Sequence, residues 1–251
     1  MRTNVRENND PFWPKQFRMP CDVLRPQGRI LSITFCKHPD ARMRPVVFRS
    51  RAQRAWRHAA LKCVRKAEGD SAHEVNAFRL ADCDPAVEWY IEQNCEIVYL
   101  NEAGEESFHY PDLLLFRNNQ YVFWEEKPKR FALQHDVQFR TELLQHELPA
   151  LGFQYEMKYA EDLLLEPRLA IATQLVRFGR RPWALIDRWQ LQQEINRDSP
   201  LTWGRACTGE LGPFGREVLC RAVLEGILSI DLSVRITRNT CFAPGTLEVW
   251  K

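Results

Sequence analysis

The sequence predicts an α/β protein with a central mixed sheet flanked by helices, followed by a small, mainly helical unit. Between residues 71 and 159, three β-rich runs lie between two segments of helical spacing, and a fourth β-rich run follows. After residue 168 the spacing of apolar residues is mainly helical. Hydrophobic residues make up 45% of the 251 residues, which is enough to bury a sizeable core.

The first forty or so residues predict an irregular arm with one short strand at Arg29 to Phe35. Prolines in this region restrict the preceding residues to extended or turn conformations. From Ser50 to Lys66, alanine, tryptophan and cysteine recur at intervals of three and four, with arginines between them. This spacing predicts a basic amphipathic helix.

The charge is distributed unevenly along the chain. Residues 1–66 contain sixteen Lys and Arg against four Asp and Glu, a net charge of +12, which leaves −10 for the rest. A basic segment favours a polyanionic partner, because neutralising phosphates releases condensed counterions. The alternative is a solvated arm without a partner. The candidate DNA contacts are Arg42, Arg44, Arg49, Arg51, Arg54 and Arg57.

A helix is predicted to begin after Gly69, where Ser71 is followed three residues later by Glu74. This is the spacing of a capping box, in which each side chain closes a free backbone amide. The helix is predicted to run to about Asp82 and to be ended by Pro85.

Three β-rich runs then predict an antiparallel meander with turns at 102–104 and 118–119, followed by a helix and a fourth strand. The predicted strands and helix are Asn94–Leu100, His109–Phe116, Tyr121–Glu126, Leu133–Leu148 (helix) and Phe153–Tyr159.

The best domain boundary lies between Glu161 and Arg168, because helical spacing dominates after it. The sequence thus predicts an arm (1–45), an α/β domain (46–162) and a C-terminal domain (163–251). The last part passes from a helix through Gly226 into β-like alternation, which is typical of a small winged-helix domain. The predicted helices are Leu169–Phe178, Trp183–Asn196 and Phe214–Gly226.

Acidic residues at the predicted hairpin carry the strongest chemical signal. Asp112 lies on one strand and Glu125 near the end of the next, with Lys127 on the same face as Glu125 because side chains alternate along a strand. Two close carboxylates are costly without a cation, and oxygen ligands suit Mg²⁺ or Mn²⁺. Glu74 offers a third carboxylate, and the backbone carbonyl of Glu126 a further ligand. This chemistry is typical of phosphodiester hydrolysis, in which an ammonium such as that of Lys127 steadies the developing charge.

Other residue types give weaker signals. His109 near Asp112 is more often structural than catalytic, and His135 and His146 lack the spacing of a zinc pair. The eight cysteines lie singly, which favours reduced, mostly buried thiols. The sequence contains neither a nucleophile motif nor a phosphate-binding glycine loop.

These residues resemble the PD-(D/E)xK nucleases, and within them the TnsA family, the endonuclease subunit of bacterial heteromeric transposases. The resemblance covers about residues 70 to 165, and Asn94 stands where the family usually has proline. The residues that carry it are Ser71-Ala72-His73-Glu74, Asp82-Cys83-Asp84-Pro85-Ala86-Val87, Glu92-Gln93, Tyr110-Pro111-Asp112 and Trp124-Glu125-Glu126-Lys127-Pro128.

The resemblance implies a restriction-endonuclease-like fold and a Mg²⁺-dependent endonuclease that cuts the 5′ ends of a transposon out of double-stranded DNA, with Mn²⁺ able to substitute. It further implies a TnsB-like transposase and a TnsC-like AAA+ ATPase as partners. Glu74 and Asp112 would hold metal, Glu125 would hold metal or position water, and Lys127 would act on the nucleophile or the transition state.

Three alternatives remain open from the sequence. One is an autonomous repair or restriction nuclease with the same four residues. Another is a non-catalytic DNA-binding assembly module, and the third is a regulator that uses Trp183, Trp189, Trp203 or Phe214 as surface anchors, although such aromatics are more often core. The apolar runs are too short for a membrane span, so a cytoplasmic, nucleoid-associated location without membrane contact is expected.

Overall fold

A computed structural model of the chain describes residues 23–24, 28–38, 41–43, 56–65, 67–69, 71–197 and 199–245. These residues form a mixed α/β fold with eight α-helices and several open sheets, which confirms the predicted class. None of the helices in these ranges is long and apolar enough to cross a membrane.

The secondary structure elements are numbered in chain order. The strands are β1 (Val23–Leu24), β2 (Ile30–Phe35), β3 (Trp56–His58), β4 (Ala67–Gly69), β5 (Val87–Glu92), β6 (Cys95–Leu100), β7 (Glu106–His109), β8 (Leu113–Arg117), β9 (Gln120–Lys127), β10 (Phe153–Tyr159), β11 (Leu201–Thr202), β12 (Leu228–Ser229) and β13 (Cys241–Pro244). The α-helices are α1 (Ala72–Cys83), α2 (Lys129–Ala132), α3 (His135–Glu147), α4 (Ala160–Leu163), α5 (Arg168–Phe178), α6 (Leu185–Ile195), α7 (Trp203–Thr208) and α8 (Gly215–Leu224).

Two four-stranded sheets form the first part of the fold. The first has the order β1-β2-β6-β7 and is antiparallel throughout. The second has the order β10-β9-β8-β5, in which β9 and β10 are parallel and the other pairs antiparallel. The second sheet is therefore mixed, as predicted. The strand predicted at Arg29 to Phe35 is β2, and the one predicted at Phe153 to Tyr159 is β10.

The predicted single meander is wrong, because the run from His109 to Phe116 belongs to both sheets. His109 pairs with Ile97 in the first sheet, whereas Leu113 pairs with Trp124 in the second. Pro111 lies between them and has no N–H for a strand ladder, so the pairing breaks there. Asp112 is therefore at a junction between sheets rather than inside a strand.

The hairpin between β8 and β9 follows the prediction. Arg117 pairs with Gln120, so Asn118 and Asn119 form a two-residue loop. Both asparagines have positive φ, 51° and 60°, which is the backbone of a type I′ turn and matches the twist of the strands. This tight turn sets the register of β9 against β8.

Helix α1 begins and ends close to the predicted positions. The Ser71 hydroxyl oxygen accepts a hydrogen bond from the Glu74 N–H at 3.1 Å and caps the helix. Val75, Phe78 and Ala81 pack against the second sheet, where they meet Tyr90 among others. The helix thereby holds Glu74 in its first turn, close to the sheet.

The helix predicted from Ser50 to Lys66 is wrong over its described part. Trp56–His58 forms β3, which pairs with β4, and residues 59–65 are not helical. Residues 50–55 and 66 lie outside the described residues. Long-range contacts determine this backbone: the Asp82 carboxylate accepts the N–H groups of Leu61 and Lys62 and lies 2.9 Å from His58 Nε2.

Apolar cores lie on both faces of the second sheet. Ile33 and Phe35 of the first sheet pack on Phe123 and Phe153, and Leu144 of α3 closes the same core. On the opposite face, α1 covers residues such as Leu115 and Trp124. Successive β9 residues thus alternate between two buried layers.

The C-terminal part packs four helices and a small sheet of order β11-β13-β12 around a third core. Helices α5, α6 and α8 correspond to the three predicted helices. Cys83 of α1 belongs to this core, and its thiol lies 3.7 Å from the Ala172 carbonyl oxygen of α5. Helix α1 therefore contacts both the second sheet and the C-terminal helices.

Candidate active site

Asp112 lies where the chain passes between the two sheets, and backbone N–H groups bind it from two sides. Its carbonyl oxygen accepts the Gln93 N–H at 3.0 Å, just beyond the end of β5. Its Oδ2 accepts the Glu126 N–H of β9 at 2.7 Å. These two hydrogen bonds place the Asp112 carboxylate beside the end of β9.

Glu125 is 2% exposed and faces three nitrogen-bearing side chains. Lys127 Nζ is 2.7 Å from Oε1, and Arg140 Nη2 of α3 is 3.6 Å from the same oxygen. His109 Nε2 is 3.5 Å from Oε2. The contact between Glu125 and Lys127 follows from strand alternation, because residues two apart share a face.

Glu74 approaches from the opposite face, on α1. The Ser71 hydroxyl donates to Glu74 Oε1 at 3.1 Å, which adds a side-chain contact to the backbone cap. Gly69 at the end of β4 lies directly against Glu74, since a Cβ at Gly69 would stand 3.1 Å from both Cβ and Oε2 of Glu74. Glu74 thus has little freedom to move.

The carboxylates influence one another electrostatically. Asp112 keeps some exposed surface, yet protein atoms enclose its carboxyl group. This desolvation raises the pKa of Asp112 well above its usual range, and the charges of Glu125 and Glu74 raise it further. Desolvation, with Glu74 and Glu125, also raises the pKa of Glu126 to about 7. The charges of four acidic groups therefore act on one another, and a bound cation would reduce the repulsion between them.

Two buried oxygens of this cluster, Glu125 Oε2 and Glu126 Oε1, have no hydrogen-bond partner. Buried acceptors are normally paired, and carboxylate oxygens are the ligands that Mg²⁺ and Mn²⁺ prefer. Among the described residues, no group of three or more His, Cys, Asp or Glu side chains is placed so that it could hold a metal ion. The carboxylate oxygens suit a divalent cation. On binding such a cation, Glu125 would give up its contact with Lys127.

His109, Tyr155 and Arg140 form a polar layer behind Glu125. The Tyr155 hydroxyl lies 3.2 Å from His109 Nε2, and burial lowers the pKa of His109 to about 4. His109 is therefore neutral near pH 7. Arg140 was missed by the sequence analysis, although it shares the inward face of α3 with Val137 and Leu144. A charge on a buried helix face is a signal that a partner is present.

The candidate DNA contacts are only partly described. Arg42 pairs with Glu68 at 3.2 Å and Glu92 at 2.5 Å and is mostly buried, and its role as a phosphate contact stays a prediction. Arg57 pairs with Glu68 at 3.1 Å, but 73% of its side chain is exposed. Four candidates lie outside the described residues: Arg44, Arg49, Arg51 and Arg54.

The remaining candidates divide between core and surface. Trp203 is buried and Trp183 packs against the C-terminal core, whereas Trp189 and Phe214 are exposed. Seven cysteines are described as free thiols, of which Cys207 and Cys241 are exposed. Comparison of the chain with models of protein families and with curated proteins finds no match.

Proposed function

We propose that this protein is a metal-dependent DNA endonuclease. One observation carries the proposal: Asp112 and Glu125, from neighbouring parts of the second sheet, share an acidic cluster with Glu74, and Lys127 Nζ lies 2.7 Å from Glu125. A carboxyl group whose pKa is raised by burial and by neighbouring carboxylates, close to an ammonium, is suited to the hydrolysis of a phosphodiester.

Each residue has a role that follows from its position. Glu74, Asp112 and Glu125 would hold Mg²⁺ or Mn²⁺, with the Glu126 carbonyl as a further ligand. When bound, the cation supplies Lewis acidity toward the scissile phosphate. Lys127, released from Glu125, would orient the attacking water or steady the negative charge that develops on the phosphate.

The choice of substrate rests on the resemblance to the TnsA family. The order and spacing of the motifs around these four residues support cleavage at the 5′ ends of a transposon, with a TnsB-like transposase cutting the 3′ ends. A TnsC-like ATPase would contact the C-terminal part, whose helix-then-strands arrangement is compatible with a winged helix. A restriction-endonuclease-like arrangement of the second sheet belongs to the same proposal.

The decisive experiment measures strand-specific nicking of labelled transposon-end DNA in Mg²⁺ and in Mn²⁺, with and without the partner transposase. Asp112→Ala and Lys127→Ala are each expected to reduce nicking by at least about a thousandfold, because each removes a group that acts on the reacting phosphate. Lys158→Ala is the matched control. Lys158 is also 31% exposed and also pairs with a glutamate, Glu156, at 2.7 Å.

Each outcome selects one function. The transposon-end nuclease is supported if nicking of the 5′ strand requires both metal and partner, and if it is kept in Lys158→Ala but lost in Asp112→Ala and Lys127→Ala. Nicking of bare plasmid without a partner supports an autonomous nuclease. DNA binding without nicking, equal in all variants, overturns the proposal in favour of a non-catalytic assembly module.

A further inference from the structure

Gln93 adjoins the acidic cluster, although no part of the proposed chemistry uses it. It directly follows β5, and its N–H binds the Asp112 carbonyl oxygen at 3.0 Å. This single hydrogen bond places the backbone of Gln93 directly beside that of Asp112, one residue beyond the last ladder pair, Glu92 with Leu113.

The backbone of Gln93 is held in a costly conformation. Its φ is 45°, in the left-handed region that residues other than glycine rarely adopt because it is sterically costly. Its carbonyl oxygen accepts the Met43 N–H at 3.0 Å, so both main-chain groups of Gln93 are paired. Surrounding contacts thus impose this conformation next to Asp112.

The side chain of Gln93 is left with an unpaired acceptor. Gln93 is 5% exposed, and its Oε1 is buried without a hydrogen-bond partner. An unpaired buried amide oxygen destabilises a fold, because it has lost its hydrogen bonds to water without replacement. A position that is both strained and unpaired is typical of a binding site rather than of a structural core.

We propose that Gln93 is a further ligand-binding residue of the site, whose Oε1 helps to bind the divalent cation or its water shell beside Asp112. This inference rests on the proposed function. An amide oxygen is a hard, neutral donor, so it adds a contact to the cation without adding another negative charge to the carboxylate cluster.

Mn²⁺ binding by the metal-free protein, measured by calorimetry, tests this role independently of nuclease activity. Gln93→Met keeps the approximate shape and removes the acceptor. It is expected to weaken Mn²⁺ affinity about tenfold while leaving the melting temperature of the metal-free protein equal or higher, because the unpaired oxygen is gone. Gln93→Glu is expected to bind Mn²⁺ more tightly and to melt lower without metal. Gln154→Met, on β10, is the control.

If Gln93→Met weakens Mn²⁺ affinity without lowering the melting temperature of the metal-free protein, Gln93 is a ligand. If Gln93 has only a packing role, Gln93→Met lowers both the Mn²⁺ affinity and the melting temperature. Unchanged Mn²⁺ affinity in both Gln93 variants overturns the inference, provided that Asp112→Ala abolishes Mn²⁺ binding. If the wild type and Asp112→Ala bind Mn²⁺ equally, the proposed function itself fails. The Asp112 variant therefore distinguishes the two failures.

Discussion

Glu74 is held in place from two sides. The Ser71 cap fixes it from one side, and the missing side chain of Gly69 leaves it just enough room on the other. An added methyl group at Gly69 would lie 3.1 Å from two Glu74 atoms, which is closer than ordinary van der Waals contact. The position of this carboxylate therefore depends on a glycine that is not itself chemically active.

Gly69→Ala is expected to reduce nicking by about tenfold to a hundredfold, because a small displacement of a catalytic group has effects of that size. The comparison is Gly104→Ala in the turn after β6, where φ is 81° and no atom lies near the new methyl group. That variant should lose stability through backbone strain and keep its activity per folded molecule. Equal activity in the two variants would show that Gly69 does not position Glu74.

The four residues predicted from the sequence lie close together in the structure, and three of them were singled out by local sequence patterns. Glu74 follows a cap residue by three, and Glu125 and Lys127 are two apart on one strand. Gln93 and Arg140 could not be assigned to the site in this way, because their contacts join segments distant in the chain. Arg140 contacts Glu125 from α3, and the N–H of Gln93, which directly follows β5, contacts the Asp112 carbonyl oxygen.

At the scale of elements, the sequence correctly predicted the elements whose position is determined by a single turn or helix cap. The asparagine pair at 118–119 predicted the β8–β9 hairpin, and Ser71 predicted the start of α1. The same reasoning failed for residues 56–65, the described part of the helix predicted from Ser50 to Lys66. There, hydrogen bonds to the buried Asp82 carboxylate, and those of Tyr90 with Lys62 and Val64, override the helical spacing of apolar residues. Long-range hydrogen bonds to a buried acid leave no periodic pattern.

The hairpin offers a direct test of turn chemistry. Asn119→Gly is expected to stabilise the protein by up to about 1 kcal/mol, since glycine adopts a positive φ without steric cost and Asn-Gly is the preferred type I′ pair. Urea unfolding followed by circular dichroism measures the change. Asn101→Gly, in the β6–β7 turn, removes the side chain that accepts the Glu105 N–H and should destabilise instead. A destabilised Asn119→Gly variant would mean that the loop is not type I′.

At the scale of the whole molecule, α1 joins parts that the sequence assigns to separate domains. It packs on the second sheet through residues such as Phe78 and enters the C-terminal core through Cys83. The predicted boundary at residues 161–168 separates two parts of the sequence. In the fold, α1 packs against both of these parts. We therefore expect them to unfold together.

Leu175→Ala, a fully buried change on α5, is expected to lower the free energy of unfolding by about 2–5 kcal/mol. Hydrogen exchange should accelerate in α1 and β9 as well as in α5, because one cooperative unit is destabilised. Leu185→Ala on α6, at an 80% exposed residue, should change stability by less than about 0.5 kcal/mol. Faster exchange confined to the C-terminal helices would identify two independent units.

The shared helix has a mechanical consequence. One end of α1 carries Glu74, while its other end is packed against α5 and α8. A helix of twelve residues transmits displacement along its axis with little bending, so a tilt imposed at the Cys83 end moves the carboxylate at the far end. Any macromolecule that binds the C-terminal helices and tilts α1 would therefore displace Glu74, one of the proposed metal ligands, without contacting the proposed site.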